Sequence, residues 1–233
     1  PTTQIYTLSL HDALPISYGY PNLPMKLVPS MTIGQERPEE KAACLARDIM
    51  IGLGFDEIFS LMLTTPENHF HRFGIEKPGP HGVILNPKLV EYNVVRGHLM
   101  TGIMESFYQN RHRPVPQKFF EIGNVVLLDE GSDTGSVEEK RVCFGMIGPS
   151  AGYAEARSVL DAIFHEMGKE ASYAPLVHPS FIEGRCASVS LDDGLTAYLG
   201  EVHPRVLQSF GVAYPVAMAE LTLARLFQPT GKK

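Results

Sequence analysis

Two apolar stretches, "FFEIGNVV" (Phe119–Val126) and "RVCFGMIG" (Arg141–Gly148), flank the polar run "DEGSDTGSVEEK". Extended apolar segments separated by a short polar loop satisfy their backbone groups by pairing with each other, so they predict an antiparallel hairpin. The pattern recurs nearer the C-terminus. There "CASVSL" and "LTAYLGEV" enclose Asp192-Asp193-Gly194, whose Asp-Gly step favours a tight turn, and "PVAMAEL" supplies a closing strand. Helical spacing lies between these strands. Pro38-Glu39-Glu40 opens a helix with proline and acids at the positive dipole end, Ala42, Leu45, Ala46, Ile49, Met50 and Leu53 follow, and Gly54 stops it. Leu99, Met100, Ile103, Met104 and Phe107 mark a second helix ending near Asn110, and Val159, Leu160, Ile163, Phe164 and Met167 a third closed by Gly168. "PRVLQSF" reads as a short helix stopped by Gly211, "FDEIFSLMLT" as a strand ending at Pro66, and "VILNP" as a short strand. Glu67 to Gly82 reads as loop-rich. Hairpin-joined strands with helices between them predict an α+β domain, an antiparallel sheet flanked by helices.

Composition narrows the function. A chain of 233 residues buries a substantial core, and no apolar run approaches the roughly 20 residues that span a bilayer. No charged and apolar leader opens the sequence, so it is not read as secreted. Cys44, Cys143 and Cys186 are widely spaced and odd in number, which fits a reducing cytoplasm and three small core hydrophobes rather than a disulfide framework. With a net charge of −6, bulk electrostatics predict no large nucleic-acid surface. The one basic cluster, Arg111, His112, Arg113 and Lys118, reads as a solvated loop.

Catalytic patterns are thin. His69 and His71 in "HFHRF" share a face if that stretch is a strand, but no third ligand lies nearby and a catalytic zinc needs three. There is no Gly-x-Ser-x-Gly elbow, and Gly145, Gly148 and Gly152 lack the Gly-Lys-[Ser/Thr] ending of a phosphate loop.

The ends are read separately. Residues 1–17, "PTTQIYTLSLHDALPIS", resemble a conceptual translation of sequencing-adapter DNA and are set aside as non-native, with a short N-terminal helix as the alternative. Residues 18–29 read as an extended connector from an upstream domain, 30–228 as the folded domain and 229–233 as a tail.

Six segments in order, "YGYPNLP", "GLGFDEI", "VVRGHLM", "FFEIGNVV", "PSFIEGR" and "GEVHPRVL", resemble the β subunits of phenylalanyl-tRNA synthetases of the archaeal/eukaryotic type. The resemblance runs from Tyr18 to about Phe227 and implies a fragment of a longer subunit. It implies a class II aminoacyl-tRNA synthetase-like sheet, cytoplasmic and without a membrane anchor. Family members assemble with a catalytic α subunit as a heterotetramer of two α and two β chains. The whole enzyme charges tRNA(Phe) with phenylalanine using ATP and Mg2+.

"GLGFDEIFSLML" falls where class II motif 1 builds the subunit interface, making Leu45, Ile49, Met50 and Phe59 the candidate partner surface. The alternative is that these residues face the domain's own core. Motif 2 of active class II enzymes continues from "FFEIGNVV" into Arg-x-Glu, whose arginine holds the ATP α-phosphate. Here Leu127, Leu128 and Asp129 stand in those places. Motif 3 runs Gly-[apolar]-x-[apolar]-Glu-Arg, against Glu220-Leu221-Thr222-Leu223-Ala224-Arg225 here. The apolar positions are kept by Leu221 and Leu223 and the arginine by Arg225, while Glu220 replaces the glycine and Ala224 the glutamate. No catalytic or metal residue is assigned, and neither ATP nor magnesium is expected to bind this segment tightly. A free-standing enzyme or amino-acid-binding regulator of the same fold is the alternative, and Arg225 is its support.

Overall fold

The computed structural model describes residues 16–22, 24, 26, 33–76, 78–191 and 194–223. The adapter-like stretch before Ile16, Asp192-Asp193 of the predicted turn, and Ala224 and Arg225 lie outside them. The chain divides into two compact units, Pro1–Gln35 and Glu36–Lys233. In the first, a 3-10 turn over Tyr20–Asn22 interrupts the predicted connector, with the Asn22 amide donating to the Tyr18 carbonyl at 2.7 Å.

The second unit is built on a seven-stranded sheet. Its strands are β1 (Asp56–Glu57), β4 (Gln117–Leu128), β5 (Ser136–Ile147), β6 (Ala171–Pro175), β7 (Phe181–Leu191), β8 (Gly194–Val202) and β9 (Val216–Thr222), in the spatial order β1-β4-β5-β9-β8-β7-β6. Every pairing is antiparallel except β1 with β4, so the sheet is mixed rather than wholly antiparallel. The predicted β4–β5 hairpin forms over its full length, from Gln117 opposite Ile147 to Leu128 opposite Ser136.

Among the described residues of this unit there are five α-helices: α1 (Pro38–Gly52), α2 (Pro66–His69), α3 (Met100–Gln109), α4 (Tyr153–Glu166) and α5 (Pro204–Phe210). Gly54, Gly168 and Gly211, the predicted stops, all take positive φ beyond their helices, where a side chain would be strained. Strand alternation sends successive side chains to opposite faces, giving the sheet two cores. Phe120, Val142, Phe144, Ala219 and Leu199 bury one face under Met50 of α1 and Leu160, Ile163 and Phe164 of α4. Val125, Met218 and Val216 bury the other under Ile103, Met104 and Phe107 of α3 and Phe210 of α5. Removing each of the larger side chains from water contributes about 1.5–3 kcal/mol.

Local expectations fail where distant groups intervene. "FDEIFSLMLT" yields two short strands, β1 and β2 (Leu63–Thr64), rather than one. β2 pairs with β3 (Val94–Val95) in a separate two-stranded sheet, and "VILNP" contributes only an isolated bridge from Val83 to Val94. "HFHRF" is not a strand. Thr65 caps α2 by accepting from the Asn68 N–H at 3.1 Å, and His71–Phe73 continue as a 3-10 turn. Of the three cysteines, Cys143 and Cys186 are buried and Cys44 is exposed. No helix among the described residues is long and apolar enough to cross a membrane.

Candidate functional site

The α3 face of the sheet carries charge in the middle of an apolar core. Glu121 on β4 lies opposite Cys143 on β5, which lies opposite Glu220 on β9, which lies opposite Tyr198 on β8. This row crosses four adjacent strands. Both carboxylates are almost fully buried, a state that persists only when they are paired.

Arg96, just beyond β3, supplies the first pairing. Its Nη1 donates to Glu121 Oε1 at 2.6 Å and its Nε to the Asn124 carbonyl at 2.9 Å. Ser60 completes the coordination of Glu121: its N–H donates to Oε1 at 3.2 Å and its hydroxyl to Oε2 at 2.6 Å. A Cβ at Gly123 would stand 2.3 Å from Arg96 Nη2, so the glycine of "EIGN" makes the room for this guanidinium. Gly123→Ala is therefore expected to displace Arg96 and lower stability by about 1–3 kcal/mol. A lower urea midpoint with an unchanged slope would show it.

Arg141 supplies the second pairing. Nη1 donates to Glu220 Oε1 at 2.8 Å, while Nε and Nη2 reach Glu139 Oε2 at 3.0 and 2.7 Å. Burial opposes the charge on Arg141, but Glu220 and Glu139 outweigh it and hold the guanidinium protonated more firmly than usual. Glu220 Oε2 accepts the backbone N–H of Leu99 at 2.9 Å, and Leu99 is the N-cap of α3. A helix N-terminus attracts anions through its free N–H groups and its dipole. Here the chain's own carboxylate occupies it.

Histidines close the edge of the row. The His69 and His98 rings stack at 3.8 Å. His69 Nε2 accepts from the Gly97 N–H at 2.9 Å, so its proton is on Nδ1, 3.0 Å from the Thr101 hydroxyl. Burial pushes His69 down to about 2, with repulsion from His98, His81 and Arg96 adding to it. His98 is likewise lowered, chiefly by burial. With both His69 nitrogens engaged and His71 exposed on a separate turn, the pair is not brought together as metal ligands. Burial also pushes the Cys143 thiol and the Tyr198 phenol well up, so neither ionises near neutrality.

The space over the Glu220 end of this row is small. A hollow of about 90 Å³ lined by Glu139, Arg141, Thr196, Tyr198, Glu220 and Thr222 is below the roughly 300–1,000 Å³ of a small-molecule site. Two cations, Arg96 and Arg141, face three carboxylates, Glu121, Glu139 and Glu220. The row therefore carries no spare positive charge for a polyphosphate.

Leu127 lies on the same side of β4 as Glu121, about 20 Å further along at roughly 3.3 Å per residue. It is part-exposed opposite Val137. Of the candidate partner residues, Phe59 is 89% exposed and Leu45 40%, and Ile49 is half-buried against the α1 core. Met50 is a correction. It is fully buried in this domain's own core, because its position on α1 faces the sheet, and it is closed to any partner.

Residues 23–223 match the model of a protein family described as the phenylalanyl tRNA synthetase beta chain CLM domain. The chain belongs to this family. Among curated relatives, the phenylalanine–tRNA ligase beta subunit of Methanococcus maripaludis is 30% identical over 94% of this chain, that of Methanocaldococcus jannaschii 32% over 93%, and that of Aeropyrum pernix 33% over 97%. The matched regions are only 40%, 39% and 40% of those relatives, so this chain spans about two fifths of a phenylalanyl-tRNA synthetase β chain. Within the family segment, the residues that sequence reading passed over are Arg96, Glu121 and Arg141. The available signal was a lone charge inside each of the apolar runs "YNVVRGHLM", "FFEIGNVV" and "RVCFGMIG".

Proposed function

We propose that this chain is a non-catalytic, class II synthetase-like part of a phenylalanine–tRNA ligase β subunit that supports assembly with the catalytic α subunit. The whole enzyme, a cytoplasmic heterotetramer of two α and two β chains, charges tRNA(Phe) with phenylalanine using ATP and magnesium. That chemistry is carried on the α subunit.

One observation carries the non-catalytic reading. The groups best suited to hold a nucleotide over the sheet are consumed internally. Glu220 takes the α3 N-terminus and Arg141, and Glu121 takes Arg96. Transferring phosphoryl or adenylyl groups requires preorganised positive charge around the phosphates. The residues present do not fit ATP: displacing Glu220 would leave a buried carboxylate unpaired, at several kcal/mol. Leu127, at the position of the motif 2 arginine, has no hydrogen bond to donate from its side chain. Isothermal titration of Mg-ATP into the chain is expected to give no heat of binding at millimolar ligand. Aminoacylation of tRNA(Phe) is expected only after the α subunit and the rest of the β subunit are added.

A further inference from the structure

We propose that the α subunit seats a cationic side chain, arginine or lysine, in the hollow beside Glu105, within an apolar ring formed by Phe59, Leu61 and Leu63. The proposal rests on the assembly reading above and names the chemistry of the contact. The hollow holds about 280 Å³ between the β1–β2 connection and α3, with Ser60, Thr64, Tyr92, Ser106 and Gln109 among its polar walls. Glu105 accepts from the Asn68 side-chain amide at 2.7 Å. Among the described residues no lysine or arginine lies within salt-bridge distance of it. Arg96 also borders the hollow, but its charge is committed to Glu121. Burial raises the Glu105 carboxyl, and the Asn68 bond and the more distant Arg72 charge lower it without reversing the shift, so a negative charge there is only partly compensated.

The surroundings fit a protein side chain better than a free amine. Phe59 and Leu61 are 89% and 74% exposed beside the hollow, and Leu85 and Val90 on the next connection are 92% and 82% exposed. These two connections are tied by the pairing of β2 with β3 and the bridge from Val83 to Val94. Such a density of exposed large apolar groups marks a surface that another protein covers. A second hollow of about 580 Å³ shares Tyr92 and adds Glu67, Glu91 and His71, extending the acidic character of this side. A partner that covers the apolar ring excludes water from the ion pair, the arrangement in which a few anchors dominate binding. Arginine is enriched as such an anchor.

The test is the affinity of the chain for its cognate α subunit, measured by titration calorimetry. Glu105→Gln, which keeps the shape and the Asn68 contact, is expected to weaken binding by about thirtyfold or more, and Phe59→Ser by at least tenfold. Glu105→Lys is expected to abolish binding. Leu128→Ser and Tyr214→Ser, at exposed apolar positions elsewhere, are expected to leave it unchanged. Equal thermal melting of Glu105→Gln and the parent excludes misfolding as the cause. If the parent binds the α subunit and both Glu105 variants bind it equally well, the cationic anchor is overturned while assembly stands. If the parent does not bind the α subunit, assembly and anchor both fall. Self-association of the chain lost on Phe59→Ser, with α binding unaffected, would assign the surface to a second copy and overturn the proposal.

Discussion

Glu220→Ala is expected to lower the stability of the folded domain by about 3–5 kcal/mol, a large share of the roughly 5–15 kcal/mol that such a domain possesses. Three interactions fail together. Arg141 loses the partner on Nη1, the Leu99 N–H at the head of α3 loses its acceptor, and Tyr198 loses its neighbouring carboxylate. Glu139 remains on Arg141, so that cation is not left wholly unpaired, but it is left in a site built for two carboxylates. The double replacement Arg141→Met with Glu220→Leu is expected to recover the part of the loss that comes from the broken ion pair, while the Leu99 N–H stays without its acceptor. Exchanging a buried ion pair for apolar side chains of similar volume is often neutral or stabilising. Urea unfolding of the single and double variants would check both outcomes. Recovery in the double variant would identify the pair as a structural filling of the sheet face.

The second large effect is acid instability. His69 is held neutral down to about 2, and His98 is lowered as well, whereas an imidazole in the unfolded chain titrates near 6.5. As the pH falls below 6.5, the unfolded chain takes up protons that the folded chain refuses. Stability is intact above that pH and is lost below it. Each such histidine contributes about 1.4 kcal/mol per pH unit once the unfolded form is protonated. His69, neutral down to about 2, carries that slope across the whole range below 6.5, and the lowered His98 adds to it in the same direction. His69→Gln can still accept from the Gly97 N–H without a group that titrates, and is expected to flatten this dependence by the His69 share. Unfolding midpoints in urea between pH 7.5 and 5 would measure it. A parent profile flat across that range would remove His69 and His98 from the account.

Much of the fold was legible because it is local. The β4–β5 hairpin follows from two apolar runs around a polar loop, and α1 from Pro38, two acids and a 3.6-residue apolar repeat. The failures have long-range causes. "FDEIFSLMLT" alternates like a single strand, yet Ser60 is drawn out of the ladder by Glu121, 61 residues away in sequence. "TPENHFHRF" was misread by pattern alone, although Thr65 followed by Pro66 is itself a helix-start signal. Tertiary packing then folds His69 inward to the Gly97 N–H. Motif comparison marked Glu220 as out of place for a nucleotide site but could not show where the carboxylate goes. Its partners, Arg141 and the Leu99 N–H, come from segments 79 and 121 residues distant. The α1 periodicity could not divide its apolar residues between core and partner. The structure buries Met50 and leaves Leu45 out because they sit on opposite edges of the stripe.

Phenylalanine-dependent ATP–pyrophosphate exchange tests the central claim most directly, measured on the chain alone and again after the α subunit is added. Silence from the chain alone, with exchange arriving on addition of the α subunit, is the predicted result. Exchange by the chain alone would mean that a working activation site forms despite Leu127 and the internal pairing of Glu220, and would contradict the account.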